Sequence, residues 1–358
     1  MFPNANTNTK SLERFLCKHT NQKHDAIRNT TIIAKRSCAK MTANVFHLLE
    51  WGHWVMEIMN QSNSSTSATP GVSASTVTAS AVAGICCLVG ISGNLAVIVV
   101  VARKLKNRDS NFTLKLILNL AVADILSLCT LPVWVHSWLR GWQFGIEACR
   151  FFSYVIIGSL YCSVWTVTLM SVQRYLAVLY PRQWLKLRGV GEKLVLSGLW
   201  ALAAILASPG IVLSDVVGEE KKCRWKYISS GQKAGTLLME TLWGFVIPFA
   251  ILVSSYCCLH TKVNRSVFFS SQRLTTLVTS IVVTFFIFWS PVHVVNILGV
   301  TAALLEHKAL DAICETSWGI TQALTFINCC INPFLYAFAF RKRKQETEHS
   351  GLTQESKI

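Results

Sequence analysis

CRFFSYVIIGSLYCSVWTVTLMSVQRYLAVLYP, residues Cys149 to Pro181, is an apolar segment around which the rest of the chain is expected to pack. Between Cys149 and Arg174 its only charged residue is Arg150, and no proline interrupts it. A helix rises about 1.5 Å per residue, so Cys149 and Arg174 would lie about 37 Å apart. That distance exceeds the hydrocarbon thickness of a bilayer, about 30 Å. The stretch therefore predicts a membrane-spanning helix with Cys149 at one face and Arg174 at the other.

The composition of the 358-residue chain is that of a membrane protein. Hydrophobic residues make up 52% and charged residues 15%, and the mean hydropathy is +0.41. A soluble domain carries about 25% charged residues. The formal net charge is +16. Because lysine and arginine cluster beside apolar runs, loop charge that orients membrane helices explains this excess better than nucleic-acid binding, and no nucleic-acid partner is expected.

Six further apolar runs bring the total to seven. The seven runs cover roughly residues 77–102, 113–139, 149–181, 194–213, 234–260, 274–303 and 317–340. The loops after the first, third and fifth runs are basic, whereas those after the second, fourth and sixth hold most of the acids between runs. The positive-inside rule then places the N-terminus outside and the C-terminus inside. The prediction is an all-α membrane protein, a seven-transmembrane helix bundle over residues 76–340.

Polar tails flank this bundle. Residues 1–75 are predicted to form an extracellular N-terminal tail with glycosylation sequons at Asn60 and Asn63. Residues 1–58 show no periodicity, and one hypothesis is that they are an upstream extension of the gene model before a real start at Met59. Residues 341–358 form a short cytoplasmic tail whose opening basic residues are expected to bind acidic membrane lipids.

An acid in the middle of the second run predicts a functional site. Asp124 costs about 2.5–3.5 kcal/mol at a helix centre, so an acid at that depth usually faces the bundle interior. Ser163 is expected at a similar depth, and Asn94, Asn328 and Asn332 supply further oxygens. One carboxylate with neutral oxygens suits a hard cation or a proton. A buried hydrogen-bonded network without an ion is the alternative.

Polar residues in the outer third of the fifth and sixth runs predict a ligand pocket. Glu240 is ionisable and needs a partner at that depth. Trp289 and His293 are four residues apart and share a helix face. Together with Tyr161 they indicate a polar-lined pocket between helices. A packed aromatic core with a satisfied histidine is the alternative for His293.

Cysteines near the predicted outer face are candidates for disulfides. Cys149 and Cys223 both fall there, and a disulfide between them is predicted, with two free thiols as the alternative. Cys314 is a weaker candidate, with Cys17 or Cys38 as its partner. The remaining cysteines lie mostly within apolar runs, where buried thiols are expected.

A set of motifs in a fixed order resembles the rhodopsin-like family of G-protein-coupled receptors. The motifs are GN at 93–94, NLAVAD at 119–124, WQFG at 142–145, Cys149, QRY at 173–175, Trp200, Cys223, Pro248, FWSP at 288–291 and NPFLY at 332–336. The resemblance covers roughly residues 76–344. It implies a multi-pass plasma-membrane receptor that promotes nucleotide exchange on heterotrimeric G proteins.

The resemblance also implies roles for individual residues. Asp124, Ser163 and Asn328 would form the sodium site of the family, and no other cofactor is expected. Trp289 and Phe285 would be the toggle between the ligand and the inner end. The inner switch that opens for the G protein would comprise Arg174, Tyr175, Tyr256, Asn332, Pro333 and Tyr336.

Two departures from the family pattern concern the inner end. Gln173 stands where the family usually has an acid, and Ser271, Gln272 and Arg273 leave the second usual acid missing. Without a carboxylate partner Arg174 should be less restrained, which predicts elevated ligand-free signalling. A scavenging receptor that binds ligand with weak coupling is the rival interpretation of Gln173.

Three stretches resemble leukotriene B4 receptors and their chemoattractant relatives. They are KLVLSGLWALAAILASP at 193–209, ETLWGFVIPF at 240–249 and FWSPVHVVNI at 288–297. The resemblance implies leukotriene B4 or a related lipid mediator as the ligand, with a chemotactic peptide or chemokine-like ligand as the alternative. The candidate ligand-binding residues are Tyr161, Glu240, Trp289, His293, Asn296 and Gln322.

The pocket arginines of leukotriene receptors do not carry over. Ser214 and Trp318 stand at their positions. A fatty-acid carboxylate would need another cation. The candidates in the outer loop are Lys221, Lys222, Arg224 and Lys226.

Other function classes find little support. No P-loop, HExxH, paired CxxC or GxSxG motif occurs, so the chain is not expected to be an enzyme. A transporter or channel is the rival from another class. A translocation path usually needs more than one acidic residue in the middle of the membrane, and the sequence shows no inverted repeat or pair of broken helices.

Overall fold

The computed structural model describes residues 74–106, 112–180, 189–218, 221–262 and 265–355, which form a helical bundle with one small hairpin. Its helices are α1 (Ala74–Lys106), α2 (Phe112–Arg140), α3 (Gly145–Leu179), α4 (Val190–Leu206), α5 (Pro209–Val212), α6 (Ser230–Thr241), α7 (Ile247–Lys262), α8 (Arg265–Leu304) and α9 (Lys308–Glu355). A π-helical turn, Leu242–Val246, joins α6 to α7. Strands β1 (Ser214–Val217) and β2 (Lys222–Trp225) form an antiparallel hairpin between α5 and α6.

Among the described residues, six helical segments are long and apolar enough to cross a membrane. They are Ser80–Lys106, Phe112–Arg140, Gly145–Leu179, Val190–Val212, Ser230–Leu259 and Ile281–Leu304. Helix α9 carries the seventh predicted run, so the architecture is the expected seven-helix bundle. Which end faces the outside of the cell stays a prediction. We call the end with Cys149 the outer end and the end with Arg174 the inner end.

Some predictions concern residues outside the described ranges. The start at Met59 and the glycosylation of Asn60 and Asn63 are among them, and they stay predictions. So does the placement of the Gln322 side chain and of the side chains at the start of the sixth run. The backbone of α9 is helical to Glu355, beyond residue 340 where the seventh run was expected to end.

Helix α3 is the element around which the others pack. It contacts α2, α4, α5, β1, α7 and α8. Ser163, Val167, Met170 and Arg174 recur at three and four residues and are all buried. Leu160, one turn nearer the outer end, is partly buried. The face predicted from the spacing along α3 is therefore confirmed.

Close backbone contacts tie α1 to its neighbours. A Cβ atom at Gly93 would lie 3.0 Å from Pro333, and one at Gly90 would lie 2.6 Å from Leu128. The adjacent Asn94 is fully buried, and its amide donates to the carbonyl of Cys329 at 3.0 Å. In the GN motif, Gly93 therefore lets α1 approach α9 closely, and Asn94 donates a hydrogen bond to a backbone carbonyl of α9.

The fourth predicted run is split by its proline. Helix α4 ends at Leu206, and α5 starts at Pro209, the first helical position. Proline has no amide hydrogen and clashes with the preceding turn, so it starts a helix more readily than it continues one. The two helices together form one candidate membrane span, Val190–Val212, which agrees with the predicted fourth run.

The outer loop after the fourth run contains a hairpin that sequence analysis did not predict. Its strands pair Val216 with Cys223, and the connecting turn has positive φ angles at Gly218 and Lys221, as tight hairpin turns require. Cys223 is disulfide-bonded to Cys149, with 5.7 Å between their Cα atoms, so the predicted disulfide is confirmed.

The second predicted disulfide does not form. Cys314 is a free and buried thiol within α9. Its suggested partners, Cys17 and Cys38, lie outside the described residues. Burial of this thiol among packed side chains explains why it behaves as a small apolar residue rather than as a cross-link.

Candidate functional site

A cavity opens at the outer end of the bundle between α2, α3, the hairpin, α6, α8 and α9. It encloses about 860 Å³ of space when its open mouth is included. Its walls are mostly aromatic or aliphatic and include Trp134, Trp138, Ile156, Ile157, Leu160, Trp225, Trp318 and Phe326. Its polar residues include Ser153, Tyr161, Arg224, Glu240, His293 and Thr325.

Four of the predicted ligand-binding residues meet in this cavity. Tyr161, Glu240, Trp289 and His293 all line it. Asn296, one turn further along α8 than His293, is fully buried. The structure therefore has a pocket between the third, fifth and sixth predicted runs, as the sequence indicated.

His293 lies among aromatic rings at the cavity floor. Its ring centroid is 5.8 Å from that of Trp289 and 5.1 Å from that of Phe245. The side chain is buried, yet neither ring nitrogen has a hydrogen-bond partner among the described residues. The described residues therefore supply no hydrogen-bond partner of the kind that the alternative, a satisfied core histidine, requires. An unpartnered imidazole at a cavity floor is available to a polar group of a ligand.

The π-helical turn before α7 makes room for this histidine. A Cβ atom at Gly244 would lie 3.1 Å from His293 Cε1 and 3.6 Å from Tyr161 Cε1. Glycine at this position therefore lets the His293 ring lie close to the backbone of the turn, where a side chain would crowd it. π-helical turns are rare and frequently mark functional sites. Sequence analysis missed this residue, because no local pattern marks a π-helical turn.

Glu240 is the second polar residue of the floor, and the buried Asn296 lies beside it without lining the cavity. The amide of Asn296 lies close enough to the Glu240 carboxyl to interact with it. Even so, Glu240 Oε2 and both polar atoms of Asn296 are buried without a hydrogen bond of normal geometry. Each buried polar group left unpartnered costs about 1–3 kcal/mol. The floor therefore favours a ligand that brings hydroxyl or other hydrogen-bonding groups.

The predicted toggle connects this floor to the bundle interior. The rings of Trp289 and Phe285 are stacked, with centroids 5.0 Å apart. Both belong to one buried cluster with Val164 and Val292. A ligand that moves Trp289 would therefore also press on α3 through Val164.

Asp124 is the centre of a buried polar network. Its Oδ1 accepts a hydrogen bond from Ser163 Oγ at 3.0 Å, and its Oδ2 accepts one from Asn332 Nδ2 at 2.8 Å. The predicted third member, Asn328, is buried, and its Oδ1 has no partner among the described residues. Asn332, assigned to the inner switch, is thus the closer partner of Asp124.

The oxygen atoms near Asp124 are of the kind that hard cations bind. They belong to carboxylate, hydroxyl and amide groups. The Oδ1 atoms of Asn94, Asn328 and Asn332 are buried without partners, and a cation would use such oxygens. No group of three or more His, Cys, Asp or Glu side chains arranged for a metal ion lies within the described part of the chain.

Arg174 has a neutral partner at the inner end. Its Nη2 donates to Thr113 Oγ1 at 3.2 Å, and Thr113 Oγ1 donates to Gln173 Oε1 at 3.1 Å. All three side chains are buried. We call Thr113, Gln173 and Arg174 the inner clasp. The expectation that Arg174 is less restrained without an acid stays a prediction, and in the structure a neutral hydrogen bond to Thr113 links the guanidinium to Gln173.

The other residues of the predicted inner switch are spread around the clasp. Tyr336 is fully buried in the core cluster that contains Met170, and its hydroxyl has no partner in the described part of the chain. Tyr256 is partly buried on α7. The Tyr175 ring contacts Tyr180 with centroids 6.0 Å apart. The described contacts therefore do not join Tyr336 to Arg174 directly.

Comparison with known proteins decides the family. The sequence model of the family described as 7 transmembrane receptor (rhodopsin family) matches residues 93–336. The chain belongs to the rhodopsin family of seven-transmembrane receptors. It is 33% identical to leukotriene B4 receptor 1 of Homo sapiens over 78% of this chain and 82% of that protein. Leukotriene B4 receptor 1 of Bos taurus is also 33% identical, over 78% of this chain and 83% of that protein. G-protein coupled receptor E1 of Equine herpesvirus 2 (strain 86/87) is 29% identical, over 73% of this chain and 70% of that protein.

Membership of this family fixes the coarse function. The receptor is a multi-pass protein of the plasma membrane, and it signals rather than catalyses. The family implies an extracellular ligand and coupling to a G protein. The transporter interpretation is therefore set aside.

A polar contact between the second, third and fourth spans of the receptor was also missed. Asn119 Nδ2 donates to Thr166 Oγ1 at 2.8 Å, and Trp200 Nε1 donates to Asn119 Oδ1 at 2.9 Å. Nearer the inner end, Lys115 pairs with the buried Glu192 at 2.5 Å. These contacts hold α2 and α4 against α3 and support both the clasp and the cavity wall.

Proposed function

We propose that the receptor binds an amphipathic lipid mediator of the leukotriene B4 kind in the outer cavity and thereby activates a heterotrimeric G protein. The cavity's division into apolar walls and a polar floor carries the proposal. Hydrocarbon groups of such a lipid would contact the tryptophan and phenylalanine rings of the walls. Its hydroxyl groups would bond to His293, Glu240 and Asn296, each of which has buried polar atoms without a hydrogen bond of normal geometry.

Similarity to leukotriene B4 receptor 1 supports the same ligand class. The identity of 33% extends over 78% of the chain. A chemotactic peptide is the competing ligand class. A peptide would bring many backbone polar groups into the cavity, whereas the aromatic walls offer them few partners.

Helix α3 supplies the route from ligand to G protein. Tyr161 lines the cavity, Ser163 bonds to Asp124, and Arg174 belongs to the inner clasp. A ligand that binds the open state more tightly shifts the population toward that state. In the open state Arg174 would leave Thr113 and become accessible to the G protein.

A sodium ion bound by Asp124, Ser163 and Asn328 is part of the proposal. The ion would supply a positive charge beside the buried carboxylate of Asp124 and would use the unpartnered oxygen of Asn328. A ligand-free state that holds sodium better than the open state would make agonist affinity fall as sodium rises.

Nucleotide exchange in cells tests the ligand class. Membranes from cells that express the receptor would be treated with leukotriene B4, with arachidonic acid, which lacks hydroxyl groups, or with a formylated chemotactic peptide. We expect leukotriene B4 to accelerate exchange and arachidonic acid to be a much weaker agonist, since it cannot bond to the polar floor. A response to the peptide with silence to both lipids would contradict the proposal. Binding without exchange would favour a scavenging receptor.

A further inference from the structure

One guanidinium reaches the outer cavity. Arg224 lies on β2 next to Cys223, whose disulfide to Cys149 fixes the hairpin to α3. Among the described residues that line the cavity, Arg224 is the only lysine or arginine. Its neighbours on the wall include Trp225 and Trp318. The hairpin therefore holds one permanent positive charge over the mouth of an otherwise largely apolar cavity.

The nearby cations are engaged elsewhere. Lys226 Nζ lies 3.3 Å from Asp215 Oδ2. The hydrogen bond from the backbone amide of Val216, and to a lesser extent the contact with Lys226, lowers the pKa of Asp215 below its usual value. Lys233 Nζ lies 2.5 Å from Asp311 Oδ1. These two lysines do not line the cavity, and neither do Lys221 and Lys222. Of the four cations that sequence analysis offered for a ligand carboxylate, the structure singles out Arg224.

Arg224 is held only weakly by its own partner. Its Nη1 lies 3.6 Å from Glu315 Oε2, longer than a hydrogen bond, and the two side chains are 49% and 61% exposed. Exposed ion pairs of this kind contribute little to stability, because solvent screens them. A ligand carboxylate that replaced Glu315 could instead accept two parallel hydrogen bonds from the guanidinium.

We propose that Arg224 binds the carboxylate of the receptor's ligand and that Glu315 occupies this guanidinium in the ligand-free state. This inference rests on the proposed lipid ligand and adds its orientation. The carboxylate lies at the mouth under the hairpin, the hydrocarbon chain runs between Trp138 and Trp318, and the hydroxyl groups reach the floor at His293. The ligand class is then a long-chain acid, and neutral esters or alcohols of the same chain are discriminated against.

Direct binding to purified receptor in lipid nanodiscs tests this orientation. The probes are tritiated leukotriene B4 and tritiated arachidonic acid, each as the free acid and as the methyl ester. The variants are Arg224→Ala, Arg224→Lys and Glu315→Gln. Lys226→Ala is the matched control, since it removes the same charge from the same hairpin without changing the cavity wall.

We expect Arg224→Ala to weaken binding of both acids about tenfold, the loss typical of a hydrogen-bonded charge partner. The esters should bind the wild type weakly and should be unaffected by this change. Arg224→Lys should retain part of the affinity, because lysine keeps the charge but not the two-pronged geometry. Glu315→Gln should raise acid affinity about threefold by freeing the guanidinium, a gain that misfolding cannot produce.

Each outcome decides between the two proposals. Equal losses in Arg224→Ala and Lys226→Ala, or esters that bind as well as acids, would overturn the role of Arg224. If leukotriene B4 activates wild type and Arg224→Ala equally, the anion site fails and the proposed function stands. If leukotriene B4 evokes no nucleotide exchange but arachidonic acid binds in an Arg224-dependent manner, the anion site stands and the proposed function fails. If neither acid binds the wild type, both fail.

Discussion

Replacing Thr113 with valine should raise the ligand-free signalling of the receptor. Thr113 Oγ1 accepts a hydrogen bond from Arg174 at 3.2 Å and donates one to Gln173 at 3.1 Å. Valine has nearly the same shape but removes both bonds. Because the three side chains are buried, water cannot easily replace the lost partner.

The size of the effect follows from the two bonds. A hydrogen bond to a charged group contributes about 1.5–3 kcal/mol and a neutral one about 0.5–1.5 kcal/mol. If the open state lacks the inner clasp, losing about 2 kcal/mol from the resting state shifts the equilibrium about thirtyfold, since 1.4 kcal/mol is tenfold. A receptor with about 1% of molecules open would then have about one fifth open.

Guanine-nucleotide exchange in membranes without added ligand measures this shift. Exchange is normalised to the number of receptors at the cell surface. Thr130→Val is the matched control, because Thr130 is a buried threonine of the same helix whose hydroxyl bonds to the Ser127 carbonyl at 2.7 Å, away from the clasp. Gln173→Asp should act in the opposite sense, since a carboxylate beside Arg174 would hold it more firmly.

Unchanged basal exchange in both Thr113→Val and Gln173→Asp would refute this reasoning. A rise that Thr130→Val reproduces would also refute it, because the effect would then reflect a general loosening of α2. The reasoning is upheld if Thr113→Val raises and Gln173→Asp lowers basal exchange while Thr130→Val leaves it unchanged.

Three further predictions concern other parts of the bundle. Asp124→Asn should abolish the sodium dependence of agonist affinity, measured by radioligand binding across a sodium titration; persistence of that dependence would place the ion elsewhere. Gly244→Ala should weaken agonist binding about tenfold, because the new methyl group would meet His293 at 3.1 Å. Gly235→Ala is its control, since no atom lies within 4 Å of a Cβ there, and equal losses would count against a packing effect at the floor. An epitope inserted after Gly218 should be detected on intact cells, and detection only after permeabilisation would reverse the predicted orientation.

Features that depend on one helix at a time were predictable from the sequence. The uncharged length of α3 fixed a membrane span, and its three- and four-residue spacing identified the buried face of Ser163 and Arg174. The cost of an acid in a bilayer marked Asp124 as a member of a buried network. Two cysteines on the same side predicted the disulfide between Cys149 and Cys223.

Features that depend on contacts between distant segments were not predictable. Thr113 lies 60 residues from Gln173, and nothing in its local sequence distinguishes it from other helical threonines. The choice of Asn332 over Asn328 as the partner of Asp124 depends on how α9 is rotated. The close approach at Gly244 exists only because a π-helical turn brings that backbone against His293.

The central claim, that a ligand in the outer cavity acts on Arg174 through α3, is tested most directly by purified receptor reconstituted with a heterotrimeric G protein. Leukotriene B4 binding and nucleotide exchange would be measured on the same preparations of wild type and Arg174→Leu. The account predicts that leukotriene B4 binds both proteins and accelerates exchange only with the wild type. Ligand-stimulated exchange that persists in Arg174→Leu would contradict it.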